Sequence, residues 1–232
     1  MNKYGNIIEL FGLPGSGKST LAALVASELD GEGIHYDNCL FRFMGRPKLI
    51  KAIFKIYAMV KQLTINPGRF FRQLKMIVDT QQNSFKDLIR LIVEYFFLMN
   101  LIREARQRNK KIILDEGIYH FLWSVCLDSQ NCLDIESFLA LSDKSDFIIV
   151  LSIDDETMCQ RLLSRNYNNR RLDRYVSTNN ITMIRKSNDI FDAISVYLNT
   201  ANISKIFIDN SIASEKEQNS ILIKNIITNL EQ

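Results

Sequence analysis

The sequence predicts an α/β protein in which parallel strands alternate with helices. Three observations carry that prediction. A glycine-rich stretch from Gly12 to Thr20 lies between an apolar run of strand length, Asn6 to Phe11, and a helix-forming segment, Leu21 to Leu29. An aliphatic run, Ile112-Ile113-Leu114, closes in two acids, Asp115 and Glu116, as a buried parallel strand reaching a ligand crevice would. Along the rest of the chain, short aliphatic runs alternate with longer segments of helical period, the pattern of parallel strands joined by crossover helices.

Length and composition set the outer limits. At 232 residues the chain suits a single domain, residues 1–232, with insertions. Its 47% hydrophobic and 24% charged residues describe an ordinary globular protein and exclude disordered and fibrous classes. A net charge of +3 by itself implies no polyanionic partner, so no specific nucleic-acid binding is expected. Cys39, Cys126, Cys132 and Cys159 lack the paired spacing of zinc or redox motifs, which leads us to expect reduced thiols in a cytoplasmic protein. The first strand begins almost at once, without a basic region and apolar core, so no secretory leader is expected. Leu88 to Ile102 is the most apolar helix, but Arg90 and Glu94 interrupt it and it is shorter than a membrane span, so it reads as a core helix.

The stretch from Gly12 reads Gly-Leu-Pro-Gly-Ser-Gly-Lys-Ser-Thr, which is the phosphate-binding loop pattern in its required strand-to-helix setting. Glycines at 12, 15 and 17 allow backbone conformations in which successive N–H groups turn inward around phosphate oxygens. The following helix adds the positive end of its dipole. Lys18 is expected to reach the β and γ phosphates of a nucleotide, and the Ser19 hydroxyl to ligate Mg²⁺. Such a loop needs an acid opposite it to orient the metal and its waters, and Asp115 answers that need.

Between these two motifs, Ile34-His35-Tyr36-Asp37 reads as a short strand, and Asp37 at its end is a candidate base facing the crevice. From Asn38 to Val78 there is no acidic residue, while Arg42, Arg46, Lys48, Lys51, Lys55, Lys61, Arg69, Arg72 and Lys75 all occur. Apolar residues among them fall at helical spacing from Pro47 to Leu63, predicting a basic amphipathic helix. The Asn66-Pro67-Gly68 turn ends it, and a second basic helix follows. Residues 38–110 thus read as a helical insertion covering the acceptor, and residues 42–75 either as its ordinary surface helices or as a surface for an anionic partner or membrane face. A helix from Ser84 to Arg108 precedes the acidic strand. Helices at 119–126 and 135–141, a buried strand at 145–153, a helix opened by Asp154 and Asp155, a helical region to Leu198, a strand at 205–210 and a final helix at 214–230 complete the reading. Five arginines between Arg161 and Arg174, in a polar asparagine-rich stretch, suit a mobile clamp on phosphate.

The loop, the strand ending in Asp115-Glu116-Gly117, the arginine-rich segment and the closing Ile206-Phe207-Ile208-Asp209-Asn210 together resemble the nucleoside and nucleotide kinase group of phosphate-loop proteins, thymidylate kinases among them. The resemblance implies the three-layer P-loop NTPase fold, with a parallel five-stranded sheet flanked by helices, ATP with Mg²⁺ as cofactors, and a lid at about 161–176 whose arginines close over the transferring phosphate. It implies nucleotide contacts from Gly12, Pro14, Gly15, Ser16, Gly17, Lys18, Ser19 and Thr20, joined by Arg161 and Arg165, and a metal held by Ser19 and Asp115. Arg165, Arg170, Arg171 and Arg174 fall in the lid. Thymidylate kinases carry Asp-Arg after this strand where Glu116 follows Asp115 here. Residues 38 to 110 lie outside the resemblance.

The expected function is therefore phosphoryl transfer from ATP to a small hydroxyl or phosphate acceptor, a nucleoside or nucleotide, with Lys18, Asp37, Asp115, Glu116, Arg165 and Arg170 as catalytic residues. The competing class is a P-loop ATPase or regulator whose basic helices bind an anionic partner or membrane surface. No Asn-Lys-X-Asp guanine motif and no Ser-Gly-Gly signature of ABC-type ATPases occurs. A homodimer is compatible with this composition.

Overall fold

The computed structural model describes residues 6–31, 34–37, 43, 45, 47–131, 133–164 and 171–211. Strands β1 (Ile7–Gly12), β2 (Ile112–Leu114), β3 (Phe147–Ser152) and β4 (Ser204–Asp209) form one parallel sheet in the order β2-β1-β3-β4. Among the described residues the sheet has four strands, where five are expected. The segment meant to be the fifth, Ile34 to Asp37, supplies a single parallel bridge between Asp37 and Ile112. Ile34 is still tied to the preceding helix, its N–H donating to the Leu29 carbonyl at 2.8 Å, so the run is short before it reaches the edge of β2.

The three-layer arrangement follows from the alternation of side chains along β1. Ile8 and Leu10 point to one face, where Leu21, Ala22, Val25 and Leu29 of α1 (Lys18–Gly31) cover them. Ile7 and Phe11 point to the other, against α4 (Phe85–Gln107), α5 (Ile118–Leu127) and α9 (Ile181–Thr200). Burying each such side chain contributes roughly 2 kcal/mol, and both faces of the central strand are covered. The expected core helix is α4, with Leu91, Tyr95, Phe96, Met99 and Ile102 essentially inaccessible. Among the described residues no helix is long and apolar enough to cross a membrane.

Polar caps set the helix starts. Asn66 accepts from the Arg69 N–H at 2.9 Å ahead of α3 (Pro67–Asp79), and Asp134 from the Glu136 N–H at 3.1 Å ahead of α6 (Ile135–Leu141). Asp154 accepts from the Thr157 N–H at 2.8 Å ahead of α7 (Asp155–Leu163), and Asn180 from the Met183 N–H at 3.2 Å ahead of α9. The short α8 (Arg171–Ser177) lies between α7 and α9. The expected helix at 214–230 lies outside the described residues. Cys126 and Cys159 carry free thiols, while Cys39 and Cys132 lie outside the described residues.

The basic segment differs most from its expected arrangement. α2 (Lys48–Ile65) runs alongside α4 in the same direction and turns its basic flank inward. Lys61 meets Glu104 at 2.7 Å, Lys55 meets Glu94 at 3.8 Å, and Gln62 accepts from Arg103 at 2.6 Å. On α3, Arg69 bonds Asp143 at 3.1 Å, and Phe70 stacks on Phe96 at 4.2 Å. Lys55, Lys61 and Arg69 are therefore engaged within the protein, and the apolar stripe of α2 faces outward instead.

Glu9 breaks the apolar run of β1 and is completely buried. Its carboxylate accepts from the Tyr119 N–H at 2.7 Å and the Ser145 hydroxyl at 2.6 Å. Burial pushes its pKa up to about 7, against the pull of Ser145 and the first amides of α5. Its folded pKa is raised, so the folded chain holds a proton that the unfolded chain has lost between about 4.5 and 7. Stability should then fall across that window as pH rises, by on the order of 3 kcal/mol, and stay flat above it. Glu9→Gln can donate to Ser145 and still accept from Tyr119, so urea denaturation at pH 5 and pH 8 should show this variant losing most of that dependence while remaining folded.

Candidate functional site

The glycine loop leaves β1 at the carboxyl edge of the sheet and enters α1. Gly15 and Gly17 have φ of 95° and 89°, a region that L side chains disfavour. At Gly17 a side chain would also meet the Asn210 amide, which donates to the Ser16 carbonyl at 2.7 Å. Arg161 of α7 donates to the Gly15 carbonyl at 3.3 Å and to the Asn210 carbonyl at 3.2 Å. The loop is thus tied through its Gly15 and Ser16 carbonyls to α7 and to Asn210 just past β4, while the Ser16 N–H donates back to the Leu13 carbonyl at 3.1 Å. The Ser16 hydroxyl is buried and has no hydrogen-bond partner among the described residues. An orphaned hydroxyl inside a glycine cradle at a helix N-terminus fits a phosphate group.

Lys18 is buried, its ammonium donating to the carbonyls of Gly12 at 2.7 Å and Leu13 at 2.9 Å, so its charge lies folded over the loop. Pro14 is buried within the loop, and Thr20 is exposed on α1. Ser19 donates to Asp115 Oδ2 at 2.9 Å, joining the loop to the end of the adjacent strand. Among the described residues no cluster of three or more His, Cys, Asp or Glu is placed to hold a metal ion. A hydroxyl beside one carboxylate instead suits Mg²⁺, which keeps several waters and takes its remaining oxygens from phosphates.

On the acceptor side the structure assembles residues that sequence reasoning missed. Glu116 lies 4.0 Å from His120 Nε2, and that imidazole stacks on Trp123 at 5.2 Å between centroids. Glu94 of α4 is close enough to Glu116 that its carboxyl is held above the usual range, by burial first and by the Glu116 charge as well, against Lys55 and Arg90. The only sequence signal for Glu94 was an acid interrupting an apolar helix. His120 carried none, because α5 brings it one turn above Glu116 only once the helix has formed. Gly117 between them is required because a Cβ there would collide with the Glu9 carboxylate beneath it.

Asp37 stands elsewhere. Its bridge is level with Ile112, three residues before Asp115, a setback of about 10 Å along the strand direction. Arg165 and Arg170 lie outside the described residues, as does the Arg171 side chain, and Arg174 is exposed on α8.

Comparison with known proteins places this geometry. A family model described as AAA domain matches residues 7–186. No curated protein matches the chain. Among solved structures, deoxyadenosine kinase from M. mycoides with products dCMP and a flexible dCDP bound is similar at a TM-score of 0.53 and 16% identity, covering 96% of this chain and 98% of that one. The same enzyme with bound dATP is similar at a TM-score of 0.51 and 17% identity, covering 96% and 99%. At that identity the likeness is one of fold. With the family matched over most of its length, and with the fold shared by these solved structures, the chain belongs to the AAA domain family.

Proposed function

We propose that the chain is an ATP- and Mg²⁺-dependent kinase acting on a hydroxyl group of a small acceptor, a nucleoside first of all. One observation carries the reading: the 2.9 Å bond from Ser19 to Asp115, which brings the metal-ligating hydroxyl of a phosphate loop against the acid of the neighbouring strand. The loop N–H groups and Lys18 hold the β and γ phosphates, and Ser19 and Asp115 hold Mg²⁺. When bound, the metal offsets the negative charge on the phosphate oxygens.

In the reaction, the acceptor oxygen forms a bond to the γ phosphorus as the bond to the β–γ bridging oxygen breaks, and ADP leaves with that electron pair. The acceptor proton passes to Glu116, which His120 helps to orient. Glu116 takes this role in place of Asp37 because it lies at the strand edge, while Asp37 is set back along β2. Two carboxylates on the acceptor side, Glu94 and Glu116, favour a neutral hydroxyl compound over one already carrying a phosphate dianion. The lid arginines Arg165 and Arg170 are proposed to meet charge on the transferring group.

Acceptor-dependent ADP release, screened over nucleosides, nucleoside monophosphates, sugars and aminoglycosides, tests the reading; release that no acceptor raises would overturn it. Lys18→Ala should stay folded and lower turnover by roughly a hundredfold or more. Asp115→Asn should raise the Mg²⁺ concentration for half-maximal rate by about tenfold. Glu116→Gln should cut kcat by roughly 10² to 10⁴ with ATP affinity unchanged, and Asp37→Asn should retain transfer, a contrast that reads out the base directly. Asn210→Ala, by loosening the loop, should weaken ATP binding in calorimetry by roughly two- to tenfold.

A further inference from the structure

The helices α3, α6, α7 and α9 are capped by the side chain just ahead of them, whereas α5 is not. Its N-cap is Gly117, which has no side chain to offer the first amides. The backbone does not require glycine there, because a φ of −107° is open to any residue. Space requires it: a Cβ at 117 would overlap the Glu9 carboxylate. The cap that position 117 cannot supply comes instead from β1, where Glu9 accepts from the Tyr119 N–H and is further stabilised by the amides of Ile118 and His120. A carboxylate in the middle of a buried central strand is costly, and an apolar side chain in its place would carry no such cost. What the acid secures is the entry of the chain into α5.

We infer that Glu9 is a positioning residue for the acceptor half of the site: it replaces the missing cap of α5 and, locked against Gly117, fixes where Glu116 and His120 stand. The consequence for turnover rests on the kinase reading, while the geometry rests on the fold alone. Only Asp115, Glu116 and Gly117 separate the end of β2 from α5, so a shift in the first turn of the helix moves Glu116 with it. His120 rides on that same turn, 4.0 Å from Glu116. Trp123 is further along the helix and anchored separately, its Nε1 donating to the Ser187 carbonyl of α9 at 3.1 Å. Loss of the cap should therefore carry His120 off the Trp123 ring. The nucleotide half, braced by Asn210 and Arg161, should not follow.

Glu9→Asp withdraws the carboxylate by one methylene and away from the Tyr119 N–H, while Glu9→Gln keeps the length and both bonds. Glu9→Asp should lower acceptor-dependent kcat by roughly tenfold or more with ATP affinity in calorimetry within about twofold, and Glu9→Gln should keep kcat within about threefold. Gly117→Ala pushes on the carboxylate from the other side and should reproduce the Glu9→Asp loss. Combined, the two should lose less than the product of their separate factors, since both break the same contact. The single tryptophan reads the geometry without turnover: Trp123 emission should change in Glu9→Asp and Gly117→Ala as His120 leaves its ring, and stay as in the wild type in Glu9→Gln. Asp134→Ala, which removes the cap of α6, should cost stability and move neither readout. Should one of Glu9→Asp and Gly117→Ala fail to fold, the other decides. Wild-type kcat and emission in either folded variant overturn the inference. So does a loss in Glu9→Gln as large as in Glu9→Asp, or ATP affinity that falls in step with kcat. If no acceptor raises ADP release, the kinase reading fails while the emission measurement still decides the role of Glu9.

Discussion

Glu9 lies in the middle of β1 with apolar residues on either side, and its buried carboxylate accepts from the first turn of α5 and from Ser145 just ahead of β3. Two segments, each more than 100 residues further along the chain, therefore converge on this one group. A buried acid of this kind is tolerated only when it is hydrogen-bonded, and helix N-terminal amides are suited to supply those bonds. The position of α5 depends on it, and with α5 the placement of Asp115, Glu116 and His120 at the carboxyl edge of the sheet. Gly117 is the corresponding constraint on the other side, since any side chain there would occupy the space of that carboxylate.

The two halves of the site are built by different means. The nucleotide half is local: strand, loop and helix are continuous in sequence, and the loop is braced by Asn210 and Arg161 from β4 and α7. The acceptor half is assembled from β2, α4 and α5, elements that meet only through the core. Under the proposed function, the acceptor side could vary through these helices without disturbing the phosphate loop.

The helical insertion illustrates how charge pattern and exposure can part company. A basic amphipathic helix is ordinarily expected to show its lysines to water. On α2, Lys55 and Lys61 meet carboxylates on α4, at Glu94 and Glu104, beside the buried Ala58 and Gln62. Half-exposed pairs of this type contribute little stability individually, about 1 kcal/mol or less. The apolar stripe is left on the outward face.

Much of the fold was legible in the sequence because it depends on local pattern. The glycine loop, the helices that start after Asn66, Asp134 and Asp154, and the buried strands all follow from short-range chemistry, whereas the break at Asn180 that divides the expected helical region into α8 and α9 was not read. Lys18, Ser19 and Asp115 could be named because the phosphate loop has fixed spacing and its partner acid ends an aliphatic strand. Tertiary structure alone decided the rest. It reduced Ile34 to Asp37 to a single bridge, because strand length depends on how much backbone the neighbouring helix end consumes. It brought Glu94 and His120 to Glu116, because residues distant in sequence meet only when their helices pack on the same core. It turned the basic flank of α2 inward, because the orientation of an amphipathic helix is set by the residues that face it across the interface, and those lie about forty residues away in the chain.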